Sequence, residues 1–140
     1  MRGKVWGFNP HSGGKKITPD IQAKIRKRIT EHAEKNYAGK FTRLDVKFRG
    51  ALCYIDAYKE PYVPEGDPPE WMNETREEYI ERLRNTPTHL CRIRHFDINR
   101  WSMAFYTYSN ERYEPCFFST GDWFGTPEEA FDIGAVYLER

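Results

Sequence analysis

The chain has 140 residues and a net charge of +1, with 39% hydrophobic, 16% aromatic and 31% charged residues. This composition excludes a disordered chain, which lacks the apolar area needed to offset the entropy cost of folding, and predicts one domain over 1–140. No apolar run approaches the roughly 18 residues of a membrane-spanning helix, and the first residues lack the apolar stretch of a signal peptide, so we expect a cytoplasmic protein that makes no membrane contact.

Charge is distributed unevenly along the chain. Residues 1–49 hold thirteen Lys or Arg against four Asp or Glu, residues 50–86 hold four against nine, and residues 87–140 hold five against eight. A basic block of this kind can mark a surface for nucleic acid or another anionic partner. The alternative is that folding mixes the three blocks into an ordinary neutral surface.

The first predicted element is a helix that begins at Thr18-Pro19-Asp20. Threonine can cap free backbone amides, proline suits the first helical position, and aspartate faces the positive end of the helix dipole. Residues 35–39, with asparagine and glycine, are expected to end the helix, and residues 1–17 before it are predicted to be a flexible N-terminal segment. One apolar stripe recurs every four residues along the helix: Ile21, Ile25, Ile29 and Ala33.

Two alternating runs, 43–48 and 51–58, predict a β-hairpin with a two-residue turn at Arg49-Gly50. The expected register places six apolar residues on one face in three pairs: Phe48 with Ala51, Val46 with Cys53, and Leu44 with Ile55. The same register places Arg43 opposite Asp56, and Asp45 opposite Tyr54, on the other face.

The second half of the chain predicts three strands between two short helices. Four prolines make 60–72 an extended loop, and a capping box at Thr75-Arg76-Glu77-Glu78 starts a helix that ends before Pro87. Runs 89–96, 101–108 and 112–118 form a meander, and a second capping box at Thr126-Pro127-Glu128-Glu129 starts the closing helix. The order α-β-β-α-β-β-β-α predicts an α+β, two-layer sandwich with a mainly antiparallel sheet of about five strands and three helices.

Three segments resemble parts of a family of small uncharacterised bacterial proteins, and the similarity covers most of residues 40–138. That family has no assigned activity, so the resemblance implies a self-contained bacterial domain and transfers no functional residue. The segments are Thr75-Arg76-Glu77-Glu78-Tyr79, the stretch from Arg100-Trp101 through Tyr108-Ser109-Asn110-Glu111-Arg112-Tyr113-Glu114, and Gly125-Thr126-Pro127-Glu128-Glu129-Ala130.

The sequence contains no recognisable catalytic or cofactor motif, so candidate sites rest on clusters of side chains. Strand alternation places Arg92 and Arg94 on one face, away from Cys91 and Ile93. Arginine and aromatic side chains on a sheet can neutralise phosphates and stack on bases. The alternative is cross-strand ion pairing and cation–π packing, for example Arg92 against Phe105. From the second strand, Tyr54, Asp56 and Tyr58 are expected on the same polar face.

A second candidate is the basic, glycine-containing loop over residues 9–16. Its backbone amides, the helix that follows and Lys15 and Lys16 can together hold a phosphate. The loop lacks the spacing of a P-loop and no clear strand precedes it, so a flexible connection is the alternative.

The third candidate is a metal or nucleophile site. If 89–96 is a strand, His89, Cys91 and His95 share a face, and Cys53 can lie nearby on the buried side of the hairpin. The alternative is that these are core residues, because close ligand pairs typical of zinc motifs are missing. The three cysteines, Cys53, Cys91 and Cys116, are widely spaced and are interpreted as reduced core thiols. No metal and no cofactor is predicted.

Other polar and aromatic residues favour structural roles. His32 is expected at the edge of the first helix stripe, and Trp71 and Trp123 are expected to pin loops onto the core or to anchor a partner. Four glutamates are interpreted as a solvated face of the second helix: Glu74, Glu77, Glu78 and Glu81.

The leading hypothesis is a non-enzymatic binding or adaptor domain whose sheet face or basic N-terminal third binds an anionic partner, of which nucleic acid is one candidate. One alternative is a small enzyme, and another is a subunit that folds fully only with a protein partner. The enzyme site would be built from His89, Cys91, Arg92, Arg94 and Asp56. The predicted binding residues are Arg92, Arg94, Tyr54, Asp56, Tyr58, Lys15 and Lys16.

Overall fold

A computed structural model describes residues 9–139, which form three helices and a five-stranded antiparallel sheet in the predicted order α-β-β-α-β-β-β-α. The α+β prediction is therefore confirmed. Within residues 9–139, no helix has both the length and the apolar character needed to cross a bilayer. The helices are α1 (Pro19–Asn36), α2 (Arg76–Arg84) and α3 (Pro127–Gly134), and the strands are β1 (Arg43–Arg49), β2 (Leu52–Tyr58), β3 (Thr88–Asp97), β4 (Arg100–Thr107) and β5 (Arg112–Cys116). Short 3-10 segments cover Glu70–Met72 and Ala135–Leu138.

The sheet is a simple meander in which each strand pairs with its neighbours in sequence, in the order β1-β2-β3-β4-β5. Helices α1 and α3 pack on one face of it and against each other, while α2 buries no side chain and lies near the proline-rich loop. We call the opposite face of the sheet the polar face. The core between the helices and the sheet contains residues such as Ile25, Ile29, Ile55, Cys91, Ile93, Trp101, Met103 and Phe131.

The predicted β1–β2 register is wrong by two residues. The turn is Gly50-Ala51, because its first position has φ of 61°, a conformation that glycine adopts without steric cost. A shift of two keeps every side chain on its predicted face but changes the partners. Phe48 pairs with Cys53, Val46 with Ile55 and Leu44 with Ala57, while Arg43 lies opposite Tyr58 and Asp45 opposite Asp56.

Two of the three predicted helix caps form as expected. In α2, the Thr75 hydroxyl accepts a hydrogen bond from the Glu78 amide, and the Glu78 carboxylate accepts one from the Thr75 amide. Thr126 and Glu129 form the same capping box in α3. Helix α1 also begins where predicted, with Thr18 at the N-cap and Pro19 as its first residue, but the Thr18 side chain makes no capping hydrogen bond. The corresponding third position of α1 is Ile21, which has no carboxylate to complete a box.

A β-bulge in β3 determines which side chains reach the polar face. Ile55 pairs with Cys91 and Asp56 pairs with His89, so Leu90 is an extra residue without a partner on β2. Leu90 and Cys91 are both buried in the core. The alternation of β3 therefore reverses at Leu90, and His89 points to the polar face rather than the core.

Candidate functional site

The centre of the polar face carries two adjacent arginines, Arg92 and Arg94, on the middle strand of the sheet. Among residues 9–139, neither guanidinium has a carboxylate within the 4.0 Å of an ion pair. Arg92 lies 5.3 Å from the ring centre of Tyr113, and Arg94 donates a 3.0 Å hydrogen bond to the Gly13 carbonyl. Burial and the charge of Arg92 lower the pKa of Arg94. Two like charges are thus held side by side, and no carboxylate of the described residues pairs with either.

Tyrosines surround this pair. Tyr54 and Tyr106 contact the Tyr113 ring edge-on, at centre distances of 5.7 and 5.0 Å. Tyr58 is buried and lies beneath the Arg43 guanidinium at 3.6 Å. The sequence-based alternative of Arg92 packing on Phe105 is wrong. Phe105 pairs with Cys91 and therefore lies on the core face, where its ring stacks on Tyr137 at 5.1 Å.

The acids of the polar face are already engaged. Asp45 lies 3.3 Å from the Lys47 ammonium group. Asp56 is 4% exposed and accepts a hydrogen bond from His89, with Lys47 also 4.0 Å away. Neither carboxylate forms an ion pair with Arg92 or Arg94, and both arginines are half-buried.

The N-terminal loop reaches the polar face, which joins two candidates that the sequence had kept apart. The Lys15 amide donates a 2.8 Å hydrogen bond to the His95 carbonyl. The Lys15 carbonyl lies 3.0 Å from Nδ1 of the His95 ring. Gly14 packs so tightly that a Cβ there would lie 2.6 Å from that carbonyl and 3.2 Å from Arg94 Cγ. The backbone of Lys15 therefore lies beside β3 next to Arg94, and the side chains of Lys15 and Lys16 are exposed.

His11 is a further residue of this surface that sequence reasoning missed. Burial and the charges of Arg94 and Arg92 lower its pKa, and its ring packs edge-on against Trp123 at 4.9 Å. Its Nε2 atom is buried and has no hydrogen-bond partner among residues 9–139. With both arginines and Ser102, it lines a recess of about 10 Å³, which is at the lower limit for holding one water molecule. The surface here suits an extended ligand rather than an enclosed small molecule.

His89 and Asp56 form a second polar cluster on the same face. The Nδ1 atom of His89 lies 2.9 Å from Asp56 Oδ1, and the His89 side chain is 33% exposed while that of Asp56 is 6% exposed. Tyr106 packs on the imidazole at 4.7 Å, and Tyr113 contacts it at 6.3 Å. Tyr108 stacks on the ring at 6.4 Å, and its hydroxyl accepts a 2.8 Å hydrogen bond from the His89 amide.

The metal or nucleophile candidate does not form, because the bulge at Leu90 turns His89 away to the polar face. The other members are core residues, as the alternative states. His95 stays in the core against Trp101 at 4.7 Å. Cys53 and Cys91 are buried there, and burial raises the pKa of both thiols, so neither is an activated nucleophile. Within the part of the chain that the structure describes, no three His, Cys, Asp or Glu side chains group to hold a metal ion.

The remaining candidates have structural partners or lie far from the polar face. His32 contacts Asp132 at 2.6 Å and Phe131 edge-on, at the predicted margin of α1. Trp123 packs on Phe117 at 3.9 Å, whereas Trp71 is 82% exposed. The α2 glutamates are largely engaged locally: Glu74 pairs with Arg82, Glu78 completes the capping box and Glu81 pairs with Arg84.

Comparison with known proteins adds no relative. No family model, no curated protein and no solved structure matches this chain. The resemblance to small bacterial proteins accordingly stays a prediction, and function has to be argued from the polar face.

Proposed function

We propose that the polar face of the sheet binds single-stranded nucleic acid. The observation that carries this proposal is the Arg92–Arg94 pair, which has no carboxylate partner among the described residues. Holding two cations together is unfavourable unless an anion joins them, and arginine forks match phosphate oxygens in geometry. Phosphate groups of a nucleic acid supply that anion without any other change in the face.

The tyrosines favour nucleic acid over a simple anion. Tyr54, Tyr106 and Tyr113 are half-buried, and the first two rings contact the Tyr113 ring edge-on. The Tyr113 ring lies 5.3 Å from the Arg92 guanidinium. Unpaired bases stack on such rings with about 1–3 kcal/mol per base, and the contact tolerates any base because every base has a π-face. We therefore expect preference for single strands over duplexes and little sequence specificity.

The shape and charge of other surfaces support the choice of this face. A cavity of about 790 Å³ beside α2 is lined by acids including Asp67, Glu70, Glu74, Glu77 and Glu78, which repel a polyanion. The polar face instead extends, through Gly13 and Gly14, to the exposed Lys15 and Lys16. A strand crossing Arg92 and Arg94 can continue onto these lysines.

Two broader proposals accompany this one. A cytoplasmic location is supported by the three unpaired cysteines, because reduced thiols persist in a reducing compartment. Membership of the family of small bacterial proteins rests only on the sequence segments around Thr75, Tyr108 and Thr126.

Fluorescence anisotropy with labelled oligonucleotides of about 12 nucleotides tests the binding proposal. A mixed-sequence single strand should bind at about 50 mM salt and weaken steeply by about 200 mM, because binding releases counterions. The R92Q/R94Q double variant should lower the slope of log K against log salt by about 1.4, since each phosphate contact to a single strand contributes about 0.7.

A matched control removes the same number of charges elsewhere. R82Q/R84Q on α2 changes exposed arginines that pair with glutamates and lie outside the polar face. It should retain the parent slope. Absence of binding at low salt, or an equal loss in both double variants, would contradict the proposal, because the second result indicates dependence on net charge alone.

A further inference from the structure

We propose that the polar face also cleaves RNA, with His89 as the general base that activates the 2′-hydroxyl. This inference rests on the proposed function for delivery of the strand to the face. It is carried by a separate observation, the Asp56–His89 pair, which is not needed for binding phosphate. The proposal concerns a catalytic site on a surface otherwise interpreted as a binding platform.

The geometry of Asp56 and His89 is that of an oriented base. A carboxylate oxygen only accepts hydrogen bonds, so the 2.9 Å contact from Asp56 Oδ1 assigns the proton of His89 to Nδ1. The Nε2 atom then carries the free lone pair. Asp56 is almost fully buried, whereas the imidazole is 33% exposed. A buried acid that orients a partly exposed histidine is the arrangement used in catalytic triads.

The fold positions His89 with several independent contacts. The bulge at Leu90 turns the side chain to the polar face, and bulges commonly re-aim side chains next to active sites. Tyr108 accepts the backbone hydrogen bond of His89 and stacks on its ring. Tyr106 packs on the imidazole at 4.7 Å. These contacts limit the rotation of the ring, and the side chain stays 33% exposed.

Arg92 completes the site. Arg92 follows His89 by three residues in β3, a spacing that places two side chains on opposite faces of a regular strand. The extra residue of the bulge restores the alternation, so both side chains point to the polar face. Both also contact Tyr113, His89 at 6.3 Å and the Arg92 guanidinium at 5.3 Å. A cation next to a base can bind the scissile phosphate and stabilise the negative charge that develops on its oxygens.

The reaction is an internal transesterification. His89 Nε2 takes the proton of the 2′-hydroxyl, and O2′ forms a bond to phosphorus. The bond from phosphorus to the 5′ oxygen breaks, and that oxygen takes a proton from water while His89 returns its proton to solvent. The products are a 2′,3′-cyclic phosphate and a 5′-hydroxyl, with no oxidation or reduction. DNA lacks the 2′-hydroxyl, so it should bind without being cut.

The test compares an RNA with its 2′-deoxy counterpart, using the full-length protein in the presence of EDTA, since the proposed step needs no metal ion. Binding of the DNA strand is measured by anisotropy, and cleavage of the RNA is followed by gel and mass spectrometry. We expect RNA fragments that end in cyclic phosphate. H89Q should lower the cleavage rate at least about 100-fold, the usual contribution of a general base, and leave DNA affinity within about twofold.

Asp56 is a positioning residue, and its variant needs a readout beyond activity. D56N should lower kcat by about 100-fold or more with KM nearly unchanged, because the asparagine no longer fixes the tautomer of His89. Added imidazole should partly restore cleavage in H89G but not in D56N. Circular dichroism and thermal unfolding establish that each variant is folded, and H89Q serves as the second variant if H89G is not.

The outcomes distinguish failure of the cleavage inference from failure of the proposed function. Bound but uncut RNA overturns the cleavage inference and leaves nucleic-acid binding intact. Cleavage by folded H89Q at the parent rate also overturns it, because the activity then comes from another residue or a contaminant. Failure of both strands to bind at low salt overturns the proposed function and the inference together.

Discussion

Helix α3 touches the bulge that aims His89, and a single methyl group tests this contact. A Cβ added at Gly134 would lie 2.7 Å from the Leu90 carbonyl oxygen and 2.9 Å from its carbonyl carbon, where ordinary contacts begin near 3.4 Å. Backbone atoms cannot rotate away, so α3 has to move outward from β3. Overpacking costs up to about 3 kcal/mol, and alanine recovers about 1 kcal/mol of helix propensity. We therefore expect G134A to lose about 2 kcal/mol of unfolding free energy.

Urea unfolding at neutral pH measures this loss, and thermal unfolding should show a Tm lower by about 6 °C in a domain of this size. G39A is the control, because nothing lies within 4 Å of a Cβ there and only its positive φ of 81° is unfavourable. That strain costs about 1–2 kcal/mol without moving a helix. G134A should also reduce RNA cleavage, whereas G39A should not. A G134A protein as stable as the parent would show that α3 does not press on the bulge.

Three further predictions concern titratable groups away from the polar face. Burial opposes the ionisation of Glu128, but hydrogen bonds from Arg28 outweigh the effect of burial and lower the pKa of Glu128. The ion pair between α1 and α3 should therefore stop stabilising the fold as pH falls through that pKa, at a cost of at most about 1 kcal/mol. Urea titrations of E128Q should show no such acid-dependent loss. Burial and the hydrogen bond to Asp132 raise the pKa of Tyr37 to about 12. Its contribution to stability should be lost as pH rises from 10 towards 12, so Y37F should lose less stability over that interval, and an equal loss would contradict the assignment. Cys53 and Cys91 should not react with Ellman's reagent at pH of about 8 until the protein unfolds, and three reactive thiols in the native state would refute their burial.

The regular parts of the fold were accessible from the sequence because their signals are local. Both capping boxes lie within four consecutive residues, and the apolar stripe of α1 repeats every turn. The pairing of β1 with β2, and of β3, β4 and β5, followed from short turns, which force neighbouring strands to be antiparallel. The strand order of the whole sheet was not predicted, because β2 and β3 are joined through residues 59–87, which include α2. The β1–β2 register failed by two residues because a single glycine determines where the turn starts, and Gly50 can occupy either turn position on pattern alone.

Only part of the candidate site could be predicted from the sequence. Alternation placed Arg92 and Arg94 on the polar face, but it also placed His89 with Cys91, since no sequence signal marks the extra residue Leu90. The bulge can be recognised only from the residue-by-residue pairing of β2 with β3. The contact between Gly13 and Arg94 joins residues 81 positions apart, and such a contact has no local signature.

Photo-crosslinking is the most direct test that the polar face binds nucleic acid. A single-stranded RNA carrying 4-thiouridine is crosslinked to the H89Q variant, which should bind without cutting, and the modified peptides are identified by mass spectrometry. The account predicts crosslinks to polar-face tyrosines, chiefly Tyr54, Tyr106 and Tyr113. Crosslinks confined to the exposed basic side of α1, around Lys24 and Lys27, would contradict it.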